Sequence, residues 1–340
     1  MTGSKIRLGH IGTAHDHSTG FMACVRSFPE VFEVVGIVEP DSGYYAQNKD
    51  NPAYDGLEWM TEDELFRRGV DAVQVEGFEL DLVKTALRWA ERGVHLHIDK
   101  PAGDSLEDFG RLLRLAKQKN LVVQMGYMYR YNKAVQQCLQ WIQDGTLGTI
   151  YQVDAIMDTE HRKDKREWLG HFDAGIMFFL GCHIVDLVYL IQGMPNKIIP
   201  YNRSTGLDGV QTIDHGFAVF EYDRGISTVR ATSTEINGYG RRQLVVCGSK
   251  GTVEVKPLEN PTQMTVTLSQ DTAGREYSDR QQPVELPPQG GRYDAMMLDF
   301  AEMVRGKKAN PYDYNDEYQL HKLILAACGQ AIDIHANDVI

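Results

Sequence analysis

Three short stretches of this chain hold residues whose types and spacing suit chemistry. The first is Gly9-His10-Ile11-Gly12-Thr13-Ala14-His15, set between the apolar Ile6-Arg7-Leu8 and a segment of helical pattern over 18–28. A glycine-bearing turn between a strand and a helix can seat a nucleotide pyrophosphate. Gly9 would let the strand end in a sharp turn, Gly12 would let the backbone approach the phosphates, and the helix beyond offers free N–H groups to negative charge. The spacing is Gly-x-x-Gly, with His15 where a third glycine would allow tight helix–strand packing, so an ordinary βα turn fits the same residues. The second stretch, Asp99-Lys100-Pro101, closes the apolar run 94–98. An ammonium there can hydrogen-bond a substrate hydroxyl and stabilise a developing alkoxide; a solvated turn lysine is the alternative. Pro101 fixes the turn and is a candidate for a cis bond. The third is Gly181-Cys182-His183-Ile184-Val185-Asp186, inside an apolar helical pattern. His183 and Asp186 share a helix face, and a histidine can act as general base near neutral pH, or be a satisfied core residue.

The elements that must position these residues alternate. Short β-branched runs at 6–11, 31–38, 70–75, 94–98 and 121–125 are separated by helix-like segments, among them 80–92 and 105–119, and Thr61-Glu62-Asp63-Glu64 reads as a capping box. This predicts a parallel sheet covered on both faces, an α/β Rossmann domain over 1–125, with Lys100 beyond a strand's carboxyl end where ligands bind in such sheets. The run 31–38 ends in Glu39, somewhat past the roughly 20-residue spacing usual for the ribose-binding acid. A carboxylate at that tip accepts from both ribose hydroxyls and repels a 2′-phosphate, so NAD is expected over NADP; a solvated strand-end acid is the other reading. After Tyr131 the pattern becomes a helix (131–144), a strand (149–158), a polar stretch (159–174), an apolar helix (175–192) and then mostly strands to 270. This gives an α+β domain over 126–290 on a mostly antiparallel open sheet. The Pro-, Gln- and Gly-rich 257–291 is expected as loop. Helices within 291–340 are expected to pack back on the first domain.

Length and composition bound the rest. The chain has 340 residues, 42% of them apolar and 24% charged, which fits two globular domains. A net charge of −12 without a dense basic run argues against nucleic-acid and anionic-membrane partners. Met-Thr-Gly-Ser-Lys at the start carries no apolar signal region, and no stretch approaches the length of a membrane span. Five scattered cysteines without paired spacing fit a reducing cytoplasm. His15-Asp16-His17 and His95-x-His97 invite a metal reading, but no third ligand has a diagnostic spacing, and no metal is expected.

Taken together, the stretches resemble the glucose-fructose oxidoreductase / inositol dehydrogenase / rhizopine catabolism (Gfo/Idh/MocA) family nearly end to end. Gly9–His15 resembles its nucleotide turn, and Gly93-Val94-His95-Leu96-His97-Ile98-Asp99-Lys100-Pro101 its Gly-Lys-His-Val-x-x-Glu-Lys-Pro stretch. Gly126-Tyr127-Met128-Tyr129-Arg130-Tyr131 resembles the segment entering the second domain, and Gly175 through Asp186 a glycine-rich helix ending in His-x-x-Asp. The resemblance implies NAD(P)-linked oxidation or reduction of a sugar, cyclitol or related polyol. It makes Lys100 and His183 the catalytic pair and puts Arg130 at the cofactor–substrate junction. It also implies a homodimer or homotetramer formed through the open sheet. With Gly9, Gly12, Thr13, Ala14, His15, Glu39 and Asp99, Lys100 and Arg130 complete the expected cofactor contacts.

Departures from the family pattern matter. Phe179 stands where many of these dehydrogenases carry an aspartate, four residues before the histidine. Gln74-Val75-Glu76-Gly77-Phe78-Glu79 replaces the usual Thr-Pro-Asn-x-x-His, and Asp99 a glutamate. His161, Arg162 and Trp168 are candidates to read sugar hydroxyls, or ordinary loop residues. Asp173 is a candidate for the missing carboxylate. Arg241-Arg242 is left as an oligomer or substrate contact. Two other functions stay open: redox-neutral glycoside cleavage or epimerisation with NAD used transiently, and a non-catalytic NAD-binding sensor.

Overall fold

Five short strands are almost wholly enclosed by helices, as the unbroken apolar runs require. In chain order they and their helices are β1 (Ile6–Ile11), α1 (Ser18–Ser27), β2 (Phe32–Val38), α2 (Ser42–Asn48), α3 (Glu62–Arg68), β3 (Ala72–Val75), α4 (Leu82–Glu91), β4 (His95–Ile98), α5 (Leu106–Gln118) and β5 (Val123–Met125). All pairs are parallel and the sheet order is β2-β1-β3-β4-β5. This computed structural model describes residues 4–272, 277–338 and 340. The first three residues, part of the stretch read for a signal region, and 273–276 of the expected loop lie outside the described residues. The capping box forms as expected: Thr61 Oγ1 accepts from the Glu64 N–H at 3.3 Å, and the Glu64 carboxylate accepts from the Thr61 N–H at 2.8 Å. In α4, Leu82, Val83, Ala86, Leu87 and Ala90 are buried, the stripe that the helical spacing set out.

The second compact unit is built on an eight-stranded sheet. Its elements are α6 (Lys133–Gln143), β6 (Ile150–Ile156), α7 (Lys163–Trp168), α8 (Cys182–Gln192), β7 (Lys197–Pro200), β8 (His215–Glu221), β9 (Ile226–Thr232), β10 (Gln243–Gly248), β11 (Gly251–Val255), β12 (Met264–Leu268) and β13 (Gln282–Pro283). The order is β13-β12-β11-β10-β6-β9-β8-β7, antiparallel except for the β6–β9 pair. α8 lies against β6 and β9. Burial alternates along β8, β10, β11 and β12, so one face is core and the other half-open.

Four features add to or depart from the expected pattern. The segment 257–291 is not all loop: Met264, Val266 and Leu268 alternate with threonines and pair as β12, a short strand that its Pro- and Gln-rich flanks disguise. The polar 159–174 holds α7. The apolar helix starts as a π turn over Met177–Gly181 before α8. At the C-terminal end, α9 (Asp294–Val304) and 305–318 group with the first unit, while 319–336, with most of α10 (Tyr314–Ala327), group with the second. The expectation had all of 291–340 on the first.

Buried histidines make the fold acid-sensitive. Burial holds His10 and His97 down at about 4 and His321 at about 3, against an ordinary 6.5. Above 6.5 these rings are neutral in both folded and unfolded chains and cost nothing. Between 6.5 and about 4 only the unfolded chain takes up their protons, so stability falls as pH falls, by up to about 1.4 kcal/mol per histidine per pH unit. Melting curves between pH 7.5 and 4.5 should show Tm dropping steadily below 6.5; a flat profile contradicts the assignment.

Candidate active site

In the first unit the turn after β1 is a fixed loop. The Gly12 N–H donates to the Val38 carbonyl at 2.7 Å, and Gly12 has φ +84°. A Cβ there would lie 2.4 Å from the Gly77 Cα, so β1's turn and β3's turn meet glycine on glycine. Both the N–H and the hydroxyl of Thr13 donate to Glu39, at 2.6 and 2.8 Å, which holds that carboxylate beside the turn at the end of β2. α1 begins at Ser18 without a side-chain cap; the Ser18 N–H turns back to the His15 carbonyl at 3.0 Å, and the helix start lies beside the turn, where its dipole favours an anion. A helix start beside the turn, a close-approach glycine and a strand-end acid fit an adenine dinucleotide. Gly9 does something else: it lies inside β1 rather than at the turn, and its missing side chain makes room for Leu65 and Val73.

Lys100 is buried and locked at its backbone from both sides. Its N–H donates to Asp99 Oδ1 at 2.7 Å, and its carbonyl accepts from His15 Nε2 at 3.0 Å. The Lys100–Pro101 bond is cis. Asp99 Oδ2 also meets His15 Nδ1 at 2.7 Å and His17 Nδ1 at 3.0 Å. Burial works against charge on His15, but Asp99, with Glu79 behind it, holds that ring above the usual histidine range. For His17 burial outweighs Asp99, and the ring falls to about 4. Burial opposes charge on Asp99 too, yet His15 and His17 keep it well below the usual carboxylate range. Burial and the Asp99 charge together push Glu76 well above the usual carboxylate range. The expected cofactor residues His15 and Asp99 therefore act on each other and on the backbone of Lys100.

In the second unit His183 sits on α8, buried, with the edge of the Tyr129 ring against it at 5.1 Å between centroids. One turn on, Asp186 takes Arg130 through Nε at 2.9 Å and a terminal nitrogen at 2.8 Å. The Tyr129 hydroxyl donates to Glu259, and Arg242 reaches Glu259 at 2.8 Å and the Asp158 carbonyl at 3.1 Å. Arg242 is thus an internal brace, while Arg241 lies half-exposed on Glu235. Burial, with Glu235 behind it, pushes Asp158 up to about 7 against the pull of Arg230. Phe179, in place of a carboxylate, packs in an aromatic cluster with Trp168 at 5.5 Å and Phe172 at 6.1 Å, and the Lys165 ammonium lies 3.6 Å above the Trp168 ring. His161 flanks Phe179 at 6.4 Å.

Two groups of expected residues come together within the first unit: Gly12, Thr13 and Glu39, and His15, Asp99 and Lys100. Ala14 links them in the same turn. Within the second unit Arg130 is tied to the helix of His183, and His161 and Trp168 share the Phe179 cluster. Arg162 is almost fully exposed beside Asp164, and Asp173 is exposed, so neither joins a described cluster. Sequence reasoning missed His17, Glu76, Tyr129 and Glu259 as site residues. Glu76 follows β3 directly, and an acid at a strand's carboxyl end was the available signal; Tyr129 and Glu259 lie 130 positions apart and give none.

Comparison with known proteins agrees with this architecture. Residues 4–127 match the oxidoreductase family with an NAD-binding Rossmann fold, and residues 135–254 match the GFO/IDH/MocA C-terminal domain. A dTDP-3,4-didehydro-2,6-dideoxy-alpha-D-glucose 3-reductase of Streptomyces violaceoruber is 27% identical over 39% of this chain and 40% of its own length. The scyllo-inositol 2-dehydrogenase (NAD(+)) of Bacillus subtilis is 24% identical over 60% of this chain and 61% of its own. The chain thus matches 40% and 61% of the length of these two curated relatives. Among solved structures, the WlbA dehydrogenase from Bordetella pertussis, in complex with NADH and UDP-GlcNAcA, has a TM-score of 0.76 at 18% identity, covering 97% of this chain and 96% of that one. UDP-N-acetylglucosamine 3-dehydrogenase GnnA from Acidithiobacillus ferrooxidans has a TM-score of 0.75 at 18% identity, covering 97% of each. At such identities these two share the fold. Both domain matches, in order and covering most of the chain, show that it belongs to the GFO/IDH/MocA family of NAD(P)-dependent oxidoreductases.

Proposed function

We propose that this protein transfers hydride between a secondary hydroxyl of a sugar, cyclitol or related polyol and a nicotinamide. The observation that carries this is Lys100: a buried lysine at the carboxyl end of β4, its backbone gripped by His15 and Asp99 inside an NAD-binding fold. NAD, when bound, supplies the hydride acceptor. Lys100 donates to the substrate oxygen and stabilises negative charge as it builds there. His183 takes the hydroxyl proton, its ring steadied by the Tyr129 edge. His161, Arg162, Trp168 and Asp173 are the proposed sugar contacts. Sugar-related activities of the relatives support the substrate class. We further propose cytoplasmic localisation, supported by five free cysteines, and a homodimer or homotetramer through the half-open sheet face, where Ile226 is 53% exposed. Among the described residues no helix is long and apolar enough to cross a membrane.

Glu39 supports NAD over NADP. Glu39→Ser removes the carboxylate that would repel a 2′-phosphate, and the NAD/NADP ratio of kcat/KM should fall by about 10- to 100-fold, corresponding to about 1.4–2.8 kcal/mol. An unchanged ratio would remove Glu39 from the ribose site. A second reading, redox-neutral cleavage or epimerisation of a glycoside, draws support from Phe179, whose phenyl ring cannot relay a proton. A panel of free polyols and glycosides incubated with NAD separates them. NADH accumulating with a free polyol supports net oxidation, whereas product released from a glycoside without NADH supports the second reading.

A further inference from the structure

The buried group around Asp99 does more than brace Lys100. His15 and His17 come from the loop after β1 and Asp99 from the end of β4, and one ligand atom from each lies within 4.8 Å of the others. Two more buried carboxylates, Glu76 and Glu79, stand 4.0 and 3.7 Å from the His15 ring. Hydrogen bonds among these groups do not close. His15 Nδ1 faces an Asp99 oxygen at 2.7 Å, which an ionised carboxylate can only offer as an acceptor. The same nitrogen faces the His17 backbone N–H at 3.2 Å, which can only donate. One ring nitrogen cannot serve both at once. Glu76 is fully buried, and its carboxyl hydrogen-bonds with that of Asp99. Three carboxyl groups and two imidazoles share a volume from which water is excluded, and the Lys100 ammonium acts on the same groups; within it two ring nitrogens and a carboxylate oxygen face one another as a set that a metal ion can bridge.

We propose that His15, His17 and Asp99 form a binding site for a first-row divalent transition metal, with Zn²⁺ the best match. Two imidazole nitrogens and one carboxylate oxygen are a ligand set that this class of ion accepts, and a fourth position is open to Glu76 or to an exogenous ligand. Tetrahedral coordination at about 2.0–2.1 Å sets ligand atoms about 3.3 Å apart. The observed 2.7 and 3.0 Å contacts to Asp99 Oδ2 would each open by a few tenths of an ångström. His15 Nε2 keeps its bond to the Lys100 carbonyl, the outer-shell contact that fixes which nitrogen ligates. The inference stands apart from the polyol reading, since the ion can sit there whatever the substrate.

The test uses the full chain and reads metal rather than activity. Elemental analysis after purification without chelator should find about one equivalent of a first-row metal per chain. Chelator-stripped protein titrated with Co²⁺ should develop ligand-field absorption in the visible. His17→Gln and Asp99→Asn should each weaken metal binding at least 10-fold, while His95→Gln, outside the cluster, should leave it unchanged. Wild-type protein that holds less than a tenth of an equivalent and gives no Co²⁺ spectrum overturns the site, and this reading does not depend on the variants folding. Metal retained in full by folded His17→Gln and Asp99→Asn also overturns it.

Discussion

Lys100→Met is expected to lower kcat by about 10²–10⁴-fold, the range in which a positioned acid and its charge contribute to proton transfer and oxyanion stabilisation. Methionine keeps an unbranched chain and removes the charge. Lys100 is 1% exposed, so bulk water cannot supply a substitute donor at that point. Its backbone is fixed through the Asp99 carboxylate and the His15 ring, so the variant should keep the β4 turn. The affinity for NAD should change only a few-fold, because the Gly12 turn and Glu39 are untouched. Stopped-flow or steady-state assays, with NAD binding measured separately, distinguish this outcome from general damage. A loss in NAD affinity that matches the loss in turnover would make Lys100 a binding residue. Undiminished turnover would take it out of the reaction.

Gly12→Ala is expected to destabilise the first unit by about 3 kcal/mol, to lower its Tm by about 6–12 °C, and to weaken NAD binding more than 10-fold. Two costs combine. At φ +84° an alanine is strained, and its Cβ would meet the Gly77 Cα and N at 2.4 and 2.5 Å. These are backbone atoms, so no side chain can swing away. The turn after β1 would have to move off the turn after β3, carrying Thr13 away from the Glu39 carboxylate. Gly77→Ala is the control, since a Cβ there meets nothing within 4 Å. It should stay within about 0.5 kcal/mol of wild type. Equal loss in both variants would contradict the close-packing account of Gly12.

Much of this was readable in advance where local pattern and tertiary role coincide. β1 through β5 are apolar runs because a parallel sheet buries both faces, and Lys100 could be put at a strand end because Asp-Lys-Pro follows such a run directly. Glu39 could be put at the end of β2 by the same logic. Gly9 was misread because a glycine's freedom at a turn and its smallness inside a strand look alike in sequence; only the approach of Leu65 tells them apart. The partners of Asp99 could not be read. β1 and β4 are not even neighbours in the sheet, yet their ends bring His17 and Asp99 together across 82 positions. The Arg130–Asp186 pair likewise links positions 56 apart, and nothing in either segment announces the other. Phe179 was visible as a departure from the family, but the aromatic cluster that absorbs it needed α7, hidden in a stretch that reads as polar loop.

The central claim is that Lys100 and His183 serve one hydride transfer between a substrate carbinol carbon and nicotinamide. Its most direct test follows deuterium from that carbon of a polyol turned over by the wild-type protein. The account predicts that the label appears in the nicotinamide ring by mass spectrometry, and that Lys100→Met and His183→Asn each slow its appearance at least 100-fold. Product formed at full rate with no label ever reaching the nicotinamide would contradict it.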